Sequence, residues 1–128
     1  MINPVDFLSF AEKLLDEGEK EILLRNTISR AYYYAFHHVR ENLGIQFKNY
    51  KKQRRSINHK ERISDHKVLI EFFKENYSLN LATMIHKMYG RRNEADYDLW
   101  KDFEKRDAED FIKDVKSFIS NFDASGLA

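Results

Sequence analysis

The chain has 128 residues, a formal net charge of +1 and no cysteine. This length fits one domain with its own core, over residues 1–128. The lack of cysteine excludes disulfides, thiolate nucleophiles and cysteine-ligated metals. No window approaches the length of a transmembrane helix, and residues 1–20 lack the pattern of a secretion signal. We therefore expect a cytoplasmic protein that has no membrane span, cofactor or metal.

The charge is concentrated in one segment. Residues 48–62 contain seven basic residues and one acidic residue, so this segment carries +6 and the rest of the chain −5. Such asymmetry favours a polyanionic partner, above all nucleic acid.

The N-terminal third of the sequence predicts two helices. Pro4 follows Asn3, a residue that caps helix N-termini, and proline is well tolerated at the first helical position. A first helix is therefore predicted over residues 4–17, with Gly18 as its C-terminal cap. Apolar residues at helical spacing predict a second, longer helix over residues 19–43.

The middle of the chain predicts a loop and two further helices. Residues 45–63 have no sustained apolar period, so a long mobile loop is predicted there. A third helix is predicted from a cap at Ser64 to about residue 76, and a fourth begins near Ser78. Gly90 is expected to interrupt or kink the fourth helix.

The last predicted helix covers residues 104–122 and carries a broad apolar stripe. The tail, residues 123–128, is expected to fray. No segment shows the sustained alternation of a strand. The predicted fold is therefore all-α, an up-and-down bundle of four to five helices.

Residues 30–40, RAYYYAFHHVR, place two lines of side chains along the flank of the second helix. One line holds Tyr33, His37 and Arg40, and the line beside it holds Arg30, Tyr34 and His38. Such side chains either shield the edge of a core or line a boundary between helices or subunits. A zinc site is disfavoured, because adjacent histidines point about 100° apart on a helix and no third ligand is evident.

The basic segment interleaves Phe47 and Tyr50 with lysines and arginines. This mixture suits phosphate contacts together with base stacking. A solvated basic loop without a partner is the alternative. The nucleic-acid-binding candidates in the whole chain are Arg40, Lys51, Lys52, Arg54, Arg55 and Arg91.

Residues 90–100, GRRNEADYDLW, combine two arginines with acidic and aromatic residues. The planar guanidinium of Arg92 suits a phosphate. On a helix Arg92 also lies one turn from Asp96, so a local ion pair is the alternative. Tyr97 is a poor general base at neutral pH, because the ordinary pKa of a tyrosine is near 10.

Four segments in order along residues 5–122 resemble the HEPN domain: SRAYYYAFHHVRENL, SDHKVLIEFF, RRNEADYDLW and the last amphipathic helix. The resemblance is greatest to small stand-alone prokaryotic members, whose last motif reads arginine, two or three residues, then Ala-Asp-Tyr. It implies a helical bundle that forms a homodimer. Many members are metal-independent ribonucleases, often toxins encoded beside a minimal nucleotidyltransferase antitoxin.

The HEPN active site is composite, with an arginine, a polar residue and a histidine from each subunit meeting at the dimer interface. Arginine stabilises charge on phosphorus while histidine moves protons. Arg92 matches the arginine and Asn93 the polar residue, whereas Tyr97 stands at the histidine position. In related toxins a tyrosine near this motif is modified with AMP, which makes Tyr97 a candidate for that modification. Asp96 and His37 complete the candidate site.

Three functions follow as hypotheses. The first is a homodimer that binds RNA or nucleotide in a composite cleft, within a toxin–antitoxin or defence-type module. The second is a metal-independent endoribonuclease, in which His37, His38 or His66 replaces the missing histidine. The third is a structural partner of a nucleotidyltransferase, without nucleic-acid binding.

Overall fold

The computed structural model describes residues 1–57 and 64–128, which form six helices and no strand. The helices are α1 (Pro4–Asp16), α2 (Glu21–Leu43), α3 (Ile45–Ile57), α4 (Asp65–Glu75), α5 (Leu79–Tyr97) and α6 (Lys105–Ala124). The predicted all-α bundle is confirmed, with six helices in the described residues instead of four or five.

The long helix α2 lies at the centre of the bundle and contacts α1, α5 and α6. Small side chains at Ala31 and Ala35 are fully buried, which lets neighbouring helices approach closely. The larger buried residues of α2, Leu24, Ile28 and Val39, pack around them at helical spacing. This central position fixes the polar residues on the flanks of α2 relative to three other helices.

Local caps set the predicted helix starts. The backbone amide of Asn3 donates to Asp6 Oδ2 at 3.0 Å, with Pro4 in the first turn of α1. Ser64 Oγ accepts from the amide of Lys67 at 3.4 Å and begins α4. These bonds satisfy amides that have no partner within the helix.

The predicted loop is wrong over residues 45–57, which form α3. Phe47 is 2% exposed and anchors α3 to the core, and Tyr50 packs edge-on against Phe72 of α4 with ring centroids 5.4 Å apart. The sequence pattern did not predict this helix, because two aromatic anchors on an otherwise basic surface do not make apolar residues recur regularly at helical spacing. The remainder of the predicted loop, residues 58–63 with Lys60 and Arg62, lies outside the described residues.

The predicted interruption of this helix at Gly90 is also wrong, because α5 continues through Gly90 to Tyr97. Gly90 is exposed and a Cβ there would meet nothing within 4 Å. A glycine costs a helix about 1 kcal/mol relative to alanine. The buried face of Met88, Arg92 and Ala95 continues past it and outweighs that cost.

The C-terminal end of the chain packs near α3. Helix α6 runs through Ala124, two residues beyond its predicted end. Leu127 packs against the core, and its carbonyl accepts from Gln46 Nε2 at 3.0 Å. Across residues 1–57 and 64–128, no helix is both long and apolar enough to span a bilayer.

Candidate nucleic-acid interface

Arg92 points into the bundle and is only 6% exposed. Its guanidinium carbon lies 5.3 Å from the ring centroids of Tyr32 and Tyr89 and 5.7 Å from that of Tyr33. Within the described part of the chain, no acceptor lies in hydrogen-bond reach of Arg92 Nε. Aromatic faces therefore supply most of the surroundings of this cation.

Asp96 forms an ion pair with Arg92. Arg92 Nη1 donates to Asp96 Oδ2 at 3.3 Å, and Ser29 Oγ of α2 donates to the same oxygen at 3.3 Å. The predicted pairing of Arg92 with Asp96 is present, one helical turn apart. Together these bonds join the C-terminal half of α5 to the middle of α2.

Apart from Ala95, which is buried, the other residues of the 90–100 segment lie at the surface or at its edge. Arg91 pairs with Glu94 at 2.9 Å and with Asp107 at 3.2 Å, and Asn93 is partly buried. Tyr97 is 70% exposed, while Leu99 and Trp100 are each 78% exposed. Arg92 and Tyr97 are therefore separated within one chain: the guanidinium lies inside the bundle and the phenol outside it.

A buried arginine that sequence reasoning missed holds the end of α5. Arg25, 7% exposed, donates through Nη1 to the carbonyls of Glu94 and Ala95 at 3.3 and 2.9 Å. Its Nη2 donates to the carbonyls of Asp98 at 3.1 Å and Leu99 at 3.4 Å, and also to that of Lys101. The last carbonyls of a helix lack partners within the helix, so Arg25 acts as a side-chain cap for α5. Only its pairing with Glu21, one turn away, was readable from local spacing.

His66 on α4 packs against Tyr32 and Tyr89, two of the rings that surround Arg92, and we call Arg92 with these surrounding side chains the Arg92 cluster. Its Nδ1 lies 2.6 Å from the Tyr32 hydroxyl, and its ring stacks on Tyr89 with centroids 4.9 Å apart. Burial, and next the positive charge of Arg92, lower the pKa of His66 from 6.5 to about 4. Burial also raises the pKa of the Tyr32 phenol. Both groups are therefore neutral at physiological pH.

The predicted line of Tyr33, His37 and Arg40 runs along α2 from the Arg92 cluster to the surface. The Tyr33 and His37 rings stack with centroids 6.0 Å apart, and Phe7 stacks on His37 at 5.3 Å. Burial, followed by the charge of Arg40, lowers the pKa of His37. In the second line Tyr34 is buried, whereas His38 Nε2 bonds Asp123 Oδ1 at 2.9 Å on another side of α2.

A cleft of about 580 Å³ opens where the Tyr33, His37 and Arg40 line ends, and we call it the α2–α3 cleft. It is lined by His37, Arg40, Glu41, Gly44, Phe47, Lys48 and Lys51. Gly44 joins the two helices with a φ of +54°, a conformation that favours glycine. This turn brings the cations of α3 beside those of α2. His37, Arg40 and Lys51 were predicted site residues, whereas Lys48 was predicted only as part of the basic segment.

The basic face of α3 continues outward from the α2–α3 cleft. A shallower hollow of about 270 Å³ is lined by Ile45, Lys48, Asn49, Lys51, Lys52 and Arg55. Lys48, Lys52 and Arg55 are exposed, whereas Arg54 pairs with Glu71 of α4 at 2.6 Å. Phe47 and Tyr50 pack inward, so the stacking surface predicted from these two aromatics is not on this face. The face offers cations without aromatic platforms, which suits a nucleic-acid backbone more than its bases.

In residues 1–57 and 64–128, no group of three or more His, Asp or Glu side chains is arranged to hold a metal ion. Comparison of the chain with protein families, curated proteins and solved structures finds no match. Any assignment of function must therefore rest on the geometry of the chain itself.

Proposed function

We propose that this chain is a HEPN-like homodimer that binds single-stranded RNA through its backbone phosphates, in a toxin–antitoxin or defence-type module. The observation that carries the proposal is the α2–α3 cleft, where Arg40, Lys48 and Lys51 surround a space of about 580 Å³. Such a volume lies in the usual range of small-ligand sites. Lys52 and Arg55 extend the positive surface beyond the cleft, along the path of a longer strand.

In this proposal Arg92 acts from inside the bundle. It contacts Tyr33, and Tyr33 stacks on His37 at the edge of the α2–α3 cleft. Arg92 therefore positions the wall of the cleft without touching the RNA. This assignment moves the centre of the site from residues 92–97 to residues 37–51.

The proposed dimer uses exposed aromatic and apolar residues at the end of α5 and directly after it. Tyr97, Leu99 and Trp100 form a patch on the segment whose carbonyls Arg25 holds. A rigid, exposed aromatic patch is typical of a protein–protein contact. Tyr33 and Tyr34, on the flank of α2, offer little surface to a second copy, because the first is partly buried and the second is buried.

Fluorescence anisotropy with a labelled single-stranded RNA tests the binding proposal. The triple variant Arg40→Gln, Lys48→Gln, Lys51→Gln is expected to lose about 30-fold in affinity at about 50 mM salt, because each lost phosphate contact weakens binding. The matched control changes Lys105, Lys113 and Lys116 of α6 to glutamine, which removes the same charge. Equal losses in the two variants, or no binding by the unmodified protein, would overturn the proposal.

One observation favours a second function, metal-independent RNA cleavage. His37 lines the α2–α3 cleft, and its lowered pKa keeps it neutral at physiological pH, as a general base for a 2′-hydroxyl must be. Cleavage in the presence of a chelator, with 2′,3′-cyclic phosphate ends, is then expected. It should disappear in His37→Ala and persist in His86→Ala, a change at an exposed histidine of α5. RNA that stays intact with the unmodified protein excludes this function.

A further inference from the structure

One carboxylate occupies the centre of the cations beside the α2–α3 cleft. Asp65, in the first turn of α4, has Oδ1 2.9 Å from Lys51 Nζ and 3.5 Å from Arg55 Nη2. Its Oδ2 lies 3.0 Å from Lys51 Nζ and 3.7 Å from Arg40 Nη2. The three cations come from two helices, α2 and α3, and converge on this single carboxylate.

The three cations share one carboxylate among the residues that the structure describes. Three positive charges there meet the single negative charge of Asp65, so this set of residues keeps an excess of positive charge that suits a phosphodiester. The two free oxygens of a phosphodiester share one negative charge, as the two oxygens of a carboxylate do, and arginine and lysine recognise both groups. Arg40 and Lys51 also line the α2–α3 cleft, which places this cluster on the proposed path of the RNA.

We propose that Arg40, Lys51 and Arg55 form a phosphate subsite that Asp65 occupies while the protein is free of RNA. A backbone phosphate of the strand displaces the carboxylate and takes over its contacts. The inference rests on the proposed RNA binding and adds both the position of one phosphate and a residue that limits affinity there.

The geometry favours such an exchange. The side chains of Arg40 and Arg55 are 44% and 56% exposed, so both guanidinium groups are open to an incoming anion. Both guanidinium groups lie farther from the Asp65 carboxylate than Lys51 Nζ does. Partly exposed ion pairs of this kind contribute little to stability, so an incoming anion can replace them. After displacement Asp65 stays in the first turn of α4, where the helix N-terminus favours a negative charge.

A second carboxylate of α4 provides a matched control. Glu71 pairs with Arg54 of α3 at 2.6 Å, and Arg54 lines neither the α2–α3 cleft nor the hollow beside it. Asp65→Asn and Glu71→Gln each remove one negative charge from the same helix and open an ion pair to α3. Any gain in RNA affinity that comes only from the more positive net charge is therefore expected in both variants.

The test is a titration of both variants and the unmodified protein with a labelled single-stranded RNA of about 12 nucleotides. Asp65→Asn is expected to bind about tenfold more tightly at about 50 mM salt, with affinity falling more steeply as salt rises. Glu71→Gln should gain about twofold from the charge alone. Circular dichroism and urea unfolding of each variant confirm that the helices persist.

The outcomes separate the two proposals. Equal gains in Asp65→Asn and Glu71→Gln, or no gain in Asp65→Asn, overturn the phosphate subsite while RNA binding by the unmodified protein stands. No RNA binding by any of the three proteins overturns both the subsite and the proposed function.

Discussion

Replacing Arg92 with methionine removes a cation that is enclosed by three tyrosine rings and paired with Asp96. Methionine retains most of the aliphatic packing, so the change isolates the guanidinium. Each cation–π contact contributes about 0.5–1 kcal/mol, the lower end of the range for such contacts. The ion pair with Asp96, whose side chain is 25% exposed, adds about 1 kcal/mol.

The expected loss in the free energy of unfolding is therefore about 3 kcal/mol, because Ser29 continues to bond Asp96 and limits the cost of the orphaned carboxylate. For a chain of this length such a loss lowers the melting temperature by about 10 °C. Urea unfolding followed by circular dichroism measures the loss, and an unchanged dependence on urea shows that the same surface still unfolds.

Arg91→Met is the matched control, one residue away on the same helix. Arg91 makes two partly exposed ion pairs and lies over the Phe103 ring at 4.6 Å. Its replacement is expected to cost about 1 kcal/mol. If Arg92→Met costs no more than Arg91→Met, Arg92 does not support the interior, and the assignment of an internal positioning role is wrong.

Three further predictions concern other parts of the molecule. Arg25→Met should lower the free energy of unfolding by about 3 kcal/mol, since one buried carbonyl and several partly buried carbonyls at the end of α5 lose their donor. Faster amide exchange over residues 94–101 checks this prediction, and unchanged exchange speaks against the cap. His66 has a folded pKa of about 4, below its unfolded value of 6.5, so the unfolded chain takes up the proton first as the pH falls. The contribution of neutral His66 to the free energy of unfolding is therefore complete above pH 6.5 and should decline by about 1–2 kcal/mol toward pH 4. Urea unfolding of His66→Gln should lack this part of the decline. A pH profile identical to that of the unmodified protein contradicts the prediction. Trp100, the only tryptophan, is 78% exposed, so its fluorescence should shift to shorter wavelength with rising protein concentration if the proposed dimer buries it. An unshifted spectrum together with monomeric light scattering excludes a dimer through this patch.

The helices that could be predicted are those with both an apolar stripe and local end signals. The start of α1 at Pro4 and of α4 after Ser64, and the end of α2 at Gly44, are set by nearby residues and follow from short-range chemistry. Helix α3 lacks such an apolar stripe and depends on the packing of Phe47 and Tyr50, which only the tertiary fold reveals. Helical spacing alone also misplaces Phe10, which fits an apolar stripe on α1 although its side chain is 49% exposed.

The candidate site was less predictable, because it depends on contacts between distant residues. The pairing of Arg92 with Asp96 follows from helical spacing, but the burial of Arg92 depends on Tyr32 and Tyr33 of α2. Asp65 is far in sequence from Arg40, which it meets across the bundle at 3.7 Å. Charge counting located the basic segment correctly, but it gave no reason to join His37 and Arg40 to Lys48 and Lys51 in one cleft.

Amide chemical shifts of the unmodified protein, recorded while single-stranded RNA is added, locate the RNA-binding surface residue by residue. The largest changes are expected on residues 37–55 and on the first turn of α4 at Asp65, while α6 changes little. Changes concentrated on α6 or on residues 97–100, or no changes at all, would contradict the claim that RNA binds in the α2–α3 cleft.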